Sequence, residues 1–233
     1  MAAANEKKKT ENLSLNQQLS DFLQKNRKPF FIGIIAIAVI LAGIIIMSSV
    51  NEKILSNALS KVDAFNRKYE ELKPYIGSSD PDAVAKQIDV IILMEEVSKF
   101  AEKQSGYAAA RAYSISAVIY HDQKNWSLAE EAWAKAAKEA GKTYLAPVSL
   151  YNAAVAAEEQ GNIESSIDYY KKAMEYGNIF PQAARAQFSV GRLEESRNNK
   201  DEAIAAYRSL LSKWPDDPVW PNLAHNRLLV LTD

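Results

Sequence analysis

No cysteine occurs among the 233 residues. That absence excludes disulfides, thiol nucleophiles, cysteine-based zinc sites and a lipidated cysteine anchor. It leaves oxidising and reducing compartments equally open. Histidine is nearly absent, with only His121 and His225, and neither has clustered carboxylates beside it at metal-ligand spacing. Glycine and proline number eight each, few enough for helices to run without interruption. The net charge of −1 supplies no global positive field for nucleic acid. No P-loop, G-x-S-x-G or dinucleotide fingerprint is present. The acidic pairs in EELKP, MEEV, AEEAW and LEES read as solvated helix faces. PDDP lacks the remaining oxygens and the glycine of a calcium loop. The expectation is a protein without catalysis, cofactor, metal, nucleic-acid partner or small-molecule substrate.

What is present begins with one apolar run. Phe30 to Met47 contains no charged or polar side chain, and the uncharged stretch continues to Asn51. Roughly 20 apolar residues cross the hydrocarbon of a bilayer. A cleaved signal peptide is the alternative, but its apolar core is about 7 to 15 residues long and an A-x-A site follows it. Here the core is longer, no such site follows, and a charged segment precedes it. A signal-anchor is therefore expected over 30–50. Lys7, Lys8, Lys9, Lys25, Arg27 and Lys28 precede the run, whereas only Lys53 and, further on, Lys61 follow it. The positive-inside bias predicts a cytoplasmic N-terminus and a domain on the far side, which in bacteria is the periplasm.

Residues 1–29 read as a polar tail followed by a short amphipathic helix with Leu15, Leu19, Phe22 and Leu23 on one face, ended by Pro29. The helix could instead dock a cytoplasmic partner. Beyond the span, Ile54, Leu55, Ala58, Leu59, Val62, Phe65, Tyr69 and Leu72 recur in steps of three and four. With no breaker before Pro74, one long helix should leave the membrane directly. A second helix is predicted from about Asp82 to Gln104. Its run VIILM, Val90 to Met94, is apolar on too many sides for a surface face and should be buried; an isolated strand is the alternative.

From Gly106 onward the chain repeats every 37 residues. Ala129, Ser166 and Ala203 fall in register, as do Trp133, Tyr170 and Tyr207, then Ala136, Ala173 and Leu210. Upstream, Ala117, Ala154 and Gly191 keep the interval, and so do Ala109, Ala146 and Ala183. Asn125, Asn162 and Asn199 mark the turns. Small residues let two helices of a hairpin approach closely, and the aromatic fills the space beside them. Ser127 with Glu130, and Asn199 with Glu202, have capping-box spacing. Gly141 and Gly177 suit helix C-termini, and Pro147, Pro181 and Pro215 suit linkers or first turns. First helices are expected to start near Ala110, Pro147 and Ala184, with a closing helix from about Pro218 to Leu231.

This pattern resembles the tetratricopeptide repeat family. Gly191, Ala203, Tyr207 and Pro215 carry the likeness in the third unit; Ala117, Tyr120, Ala129, Trp133 and Ala136 carry it in the first. The second unit offers Ser166, Tyr170 and Ala173. Two departures stand out, a period of 37 in place of the usual 34 and no tryptophan in the first helix. The resemblance covers roughly 106–231. The whole layout resembles the YfgM-like family, ancillary subunits of the SecYEG translocon associated with periplasmic chaperones. It implies an all-α protein: a single transmembrane helix followed by an α-solenoid of helical hairpins.

Four segments follow: 1–29, 30–50, 51–105 as a degenerate first repeat, and 106–231 as repeats with a capping helix. Stacked hairpins make a curved solenoid whose first helices line the concave side. Arg111, Ser114, Val118, Tyr151, Val155, Arg185, Phe188 and Arg192 should face inward there, an arginine and aromatic mixture suited to protein recognition. Packing between repeats is the other use of Tyr151 and Phe188, and local ion pairs the other use of Arg111 and Arg192. The expected function is a membrane-anchored scaffold binding the translocon and chaperones in the bacterial inner membrane. The alternative is a structural or assembly subunit of a large envelope machine, such as a motor or secretion apparatus.

Overall fold

A computed structural model describes residues 15–78 and 81–232. The polar tail expected before Leu15 lies outside them, as do the side chains of Leu15 and Leu19 on the amphipathic face. All regular structure among the described residues is helical. The chain divides into two compact units, Met1–Ser56 and Asn57–Asp233.

The first unit contains α1 (Leu15–Lys25) and the start of α2 (Arg27–Leu72). The break between the helices falls at Asn26, and Pro29 sits in the first turn of α2, where its missing N–H leaves no bond unmade. From Phe30 to Val50 every large apolar side chain is exposed. This helix, near the N-terminus, is long and apolar enough to cross a membrane.

The second unit begins within α2 and continues through α3 (Pro81–Lys103), α4 (Gly106–Asp122), α5 (Trp126–Ala140), α6 (Leu145–Glu159), α7 (Ile163–Met174), α8 (Ala183–Ser196), α9 (Lys200–Lys213) and α10 (Trp220–Thr232). The end of α2 presents Val62, Phe65, Tyr69 and Leu72 to Val90, Leu93 and Val97 of α3 and to Ala112, Ile115 and Ile119 of α4. The expectation of full burial for Val90 to Met94 is overturned. Val90 and Leu93 are closed off at 2% and 0% exposure, but Ile91 and Ile92 stand 63% and 43% exposed. The run lies inside a helix, so its side chains point around the full circle, and no described element covers the outer side of α3.

The later helices pair as α4–α5, α6–α7 and α8–α9. Ala117, Ala154 and Gly191 on the first helices are buried, as are Ala129, Ser166 and Ala203 on the second. Only side chains this small let helix backbones come close enough for the aromatics Trp133, Tyr170 and Tyr207 to seal the space. A Cβ built on Gly191 would lie 2.5 Å from Cε1 of Tyr207, so in this hairpin the aromatic occupies the volume of the missing methyl.

The 37-residue interval reaches the backbone itself. Lys124, Gly161 and Asn198 are all left-handed, with φ of 56°, 75° and 61°. Asn125, Asn162 and Asn199 follow with nearly identical backbone angles, φ −87°, −84° and −84°. Each of these asparagine N–H groups donates to the carbonyl five residues earlier, Tyr120, Ala157 or Glu194. That is the closure of a helix through a left-handed residue. The same asparagine is the N-cap of the next helix. Asn125 and Asn162 accept from the N–H of Leu128 and Ser165 at 3.4 and 3.5 Å, which is long for a cap. Both capping boxes need correcting. Ser127 lies inside α5, one residue past its start, so Asn125 has the capping place. Asn199 holds the N-cap place but turns its side-chain N–H to Glu194, at 2.8 Å.

Candidate functional site

The eight residues expected on the inward face fall into two groups within the second unit. Arg111, Ser114 and Val118 lie on α4 and line one pocket together with Tyr69 and Tyr144. The Arg111 guanidinium meets Asp63 at 2.8 Å, and the Ser114 hydroxyl donates to the Ala110 carbonyl in its own helix. Val118 is half-buried against the neighbouring cores. Tyr69 forms the back of the pocket. Its hydroxyl donates to Asp122 at 2.7 Å, and burial followed by that carboxylate pushes the phenol well above its ordinary pKa. Arg111, Ser114 and Tyr69 of this pocket are thus partnered internally.

The second group is built on α6, α8 and α10. Tyr151 is only 6% exposed and meets Tyr170 edge-on at 5.2 Å between ring centroids. Burial raises its phenol pKa, against the lowering effect of Arg185. Tyr151 is therefore a floor, not a projecting contact. Above it lies the guanidinium of exposed Arg185, 5.5 Å from the Tyr151 ring and 5.8 Å from the ring of Trp220. Such arginine–aromatic contacts hold the cation in place without neutralising it. Phe188 continues the aromatic wall, 5.3 Å from Trp220 and 5.4 Å from Tyr207. Val155 is half-buried against the α6–α8 core. Arg192 reaches back to α6, placing one nitrogen 2.7 Å from both oxygens of Glu158.

Four arginines near this row thus have different fates. Arg111, Arg192 and Arg227 each bind a carboxylate, from Asp63, Glu158 and Glu195. Arg185 has no carboxylate partner among the described residues and rests on rings alone. Trp220, essential to its setting, was absent from the expected site residues. A signal for it existed: Trp220 stands 37 residues after Ala183, where the earlier units carry alanine. The acidic PDDP stretch has a local task, since Asp217 accepts the N–H groups of Val219 and Trp220 at 3.0 and 3.1 Å and so starts α10. His121, beside Asp122 at 3.7 Å, stacks edge-on against Trp126 at 4.9 Å. No group of three metal-binding side chains occurs among the described residues.

Comparison with known proteins gives three findings. A "TPR repeat-containing protein" of Treponema pallidum (strain Nichols) is 33% identical over 129 residues. The match covers 55% of this chain and 53% of that protein, so the chain spans about half the length of the curated relative it matches. A solved structure of MamA from AMB-1 overlaps 72% of this chain and 93% of its own, at 15% identity and a TM-score of 0.46. A model of the tetratricopeptide repeat matches residues 151–218, from within α6 to the link after α9.

Proposed function

We propose that this protein is a non-catalytic scaffold that binds protein partners on the face formed by α4, α6, α8 and α10. The observation that carries the reading is Arg185: an exposed cation, unneutralised among the described residues, held between Tyr151 and Trp220 with Phe188 alongside. Arginine and large aromatics supply most of the energy of protein interfaces. Here their ordering cost is met before a partner arrives. Val155 and Arg192 border this patch, while Arg111, Ser114 and Val118 extend the recognition face along α4. The tetratricopeptide match over 151–218 supports a binding role.

The anchor reading rests on α2 and on flanking charge. Residues 30–50 span the bacterial inner membrane once, with the N-terminus cytoplasmic and the residues after the span in the periplasm. The layout supports a place at the SecYEG translocon, where the scaffold recruits periplasmic chaperones. Residues 51–105 act as the degenerate first repeat and 106–231 as the recognition array. Anchoring raises the effective concentration of partners at the membrane.

Co-purification of the full chain from mild detergent tests both levels. Recovery of translocon components and chaperones with the native chain, and their loss with Arg185→Gln at unchanged thermal stability, is the expected result. Undiminished recovery with Arg185→Gln removes the recognition patch from the account. A stoichiometric envelope assembly lacking translocon components replaces the translocon with the envelope-machine alternative. A compartment-sensitive reporter after Asp233 tests orientation, and cytoplasmic signal there rejects it.

A further inference from the structure

The outer side of α3 carries an apolar stripe with nothing over it among the described residues. Val84, Ile88 and Ile92 follow one another at intervals of four, with exposures of 57%, 61% and 43%. Ala85 and Ile91, both exposed, flank this line. At about 100° per residue, all five fall within one third of the helix circumference. Three isoleucines on one helix, each exposed, leave much of their apolar surface in water.

Three properties of the stripe point to its occupant. The first is symmetry. Reversing the helix about Ile88 places Val84 on Ile92 and Ala85 close to Ile91, so the surface is complementary to its own two-fold copy: large side chains meet large ones at the centre and a small one meets an isoleucine beside it. The second is chemistry. The stripe lacks the tryptophan, tyrosine or arginine that anchors contacts between unlike proteins. Its all-aliphatic character is that of a helix seam between identical chains. The third is charge. Lys86 is paired with Asp89, Lys99 with Glu95 and Lys68 with Glu96, so the surroundings present neutralised pairs. A second copy approaching them meets no net like charge, and a strongly charged partner finds nothing to select it.

We propose that α3 pairs antiparallel with α3 of a second copy of this chain, with Ile88 on the two-fold axis. Five side chains a side fall short of the ~800 Å² per partner of a standard stable interface. The contact is consequently weak and forms where copies are concentrated. This pairing uses none of the residues of the α4, α6, α8 and α10 recognition face and does not depend on its function.

The absence of native cysteine permits a direct test with the full chain in intact cells. Helices packed at about 8–10 Å bring facing Cα atoms within disulfide range on the axis. Residues 84 of the two copies would lie about 12 Å apart along the helices, from a rise of about 1.5 Å per residue. Under mild oxidation Ile88→Cys should give a disulfide dimer. Val84→Cys and Ile92→Cys should each stay monomeric when expressed alone, and differently tagged Val84→Cys and Ile92→Cys chains should link when co-expressed. Native-like thermal stability is expected of each, because these side chains are exposed. As a non-covalent readout, Ile88→Glu should reduce energy transfer between two fluorescently tagged copies by tenfold or more. Absence of the Ile88→Cys dimer overturns the proposal, as does equal linking of all three variants alone. An Ile88→Cys adduct to a protein of different mass, or protection of that thiol by lipid without dimer, assigns the stripe to another occupant and also overturns it.

Discussion

The helices α3 and α8 show two ways of filling a helix interface. α3 packs large aliphatics, Val90, Leu93 and Val97, against the equally large Val62, Phe65 and Leu72, and closes one side only. α8 packs Ala183, Ala186 and Gly191 close to its neighbours and lets Tyr207 from α9 complete the volume, so most of its circumference is closed. Large side chains hold helices apart and tolerate an open flank. Small ones require a partner of matching shape on each side. The first arrangement leaves a surface for association, and the second leaves a rigid array on which Arg185 can be held still.

Substitutions can break this comparison at chosen points. The largest effect is expected within α3 itself. Leu93→Ala should cost about 2–5 kcal/mol in denaturant unfolding, because Leu93 is wholly enclosed. Ile91→Ala, two residues earlier and exposed, should change monomer stability by about 0.5 kcal/mol or less. Equal costs would mean that α3 is covered on both sides. Next comes Gly191→Ala in α8. Alanine favours the helix by about 1 kcal/mol. The new methyl nevertheless collides with a ring that is fully buried and tied through its hydroxyl to Glu195 at 2.9 Å. A net loss of about 1–2 kcal/mol is expected from overpacking, relieved when Tyr207→Leu is combined with it. Additive losses in that double-mutant cycle would refute the interlock.

Smaller effects sharpen the picture further. Ser166 occupies the position of Ala129 and Ala203, and its buried hydroxyl has no hydrogen-bond partner among the described residues. Ser166→Ala should stabilise the α6–α7 hairpin by about 1 kcal/mol, read as a rise in melting temperature. A fall would reveal a partner for the hydroxyl. The gentlest probe is acid. Hydrogen bonding from Arg227, then from Tyr207, holds the Glu195 carboxyl below its usual pKa against the opposing effect of burial. A carboxylate whose folded pKa is depressed stabilises the protein above the ordinary carboxylate range, and that share is lost as pH falls through the depressed value. Melting temperature should therefore drop less between neutral and acidic pH in Glu195→Gln than in the native chain. Parallel curves would leave the α8–α10 tie without an energetic role.

The repeat was legible because the turn chemistry and the small-residue positions recur at one interval, and both are set by local geometry. The long helix through Leu72 was legible from the absence of breakers. Other features depend on neighbours that no single segment encodes. Helical periodicity could show that Val90 to Met94 was apolar, but not that only one flank of α3 would be covered. Ser127 and Glu130 satisfied a motif, yet Asn125 two residues earlier already supplied the cap. Among the candidate site residues, arginine and aromatic content was readable. The holding of Arg185 between two rings was not, because it requires Trp220 from α10 opposite Tyr151 from α6.

The turns at Asn125, Asn162 and Asn199 have a consequence for how such a chain can vary. One residue closes a helix and opens the next, so the joint has no slack. Adding or removing a single amino acid there would rotate the following helix by about 100° and misdirect its whole buried face. The segments 141–144 and 175–182 between hairpins contain turns and unshared residues, so they can absorb changes in length. Length variation among related chains should collect at those links, or come as whole hairpins, while the asparagine joints keep a constant residue count.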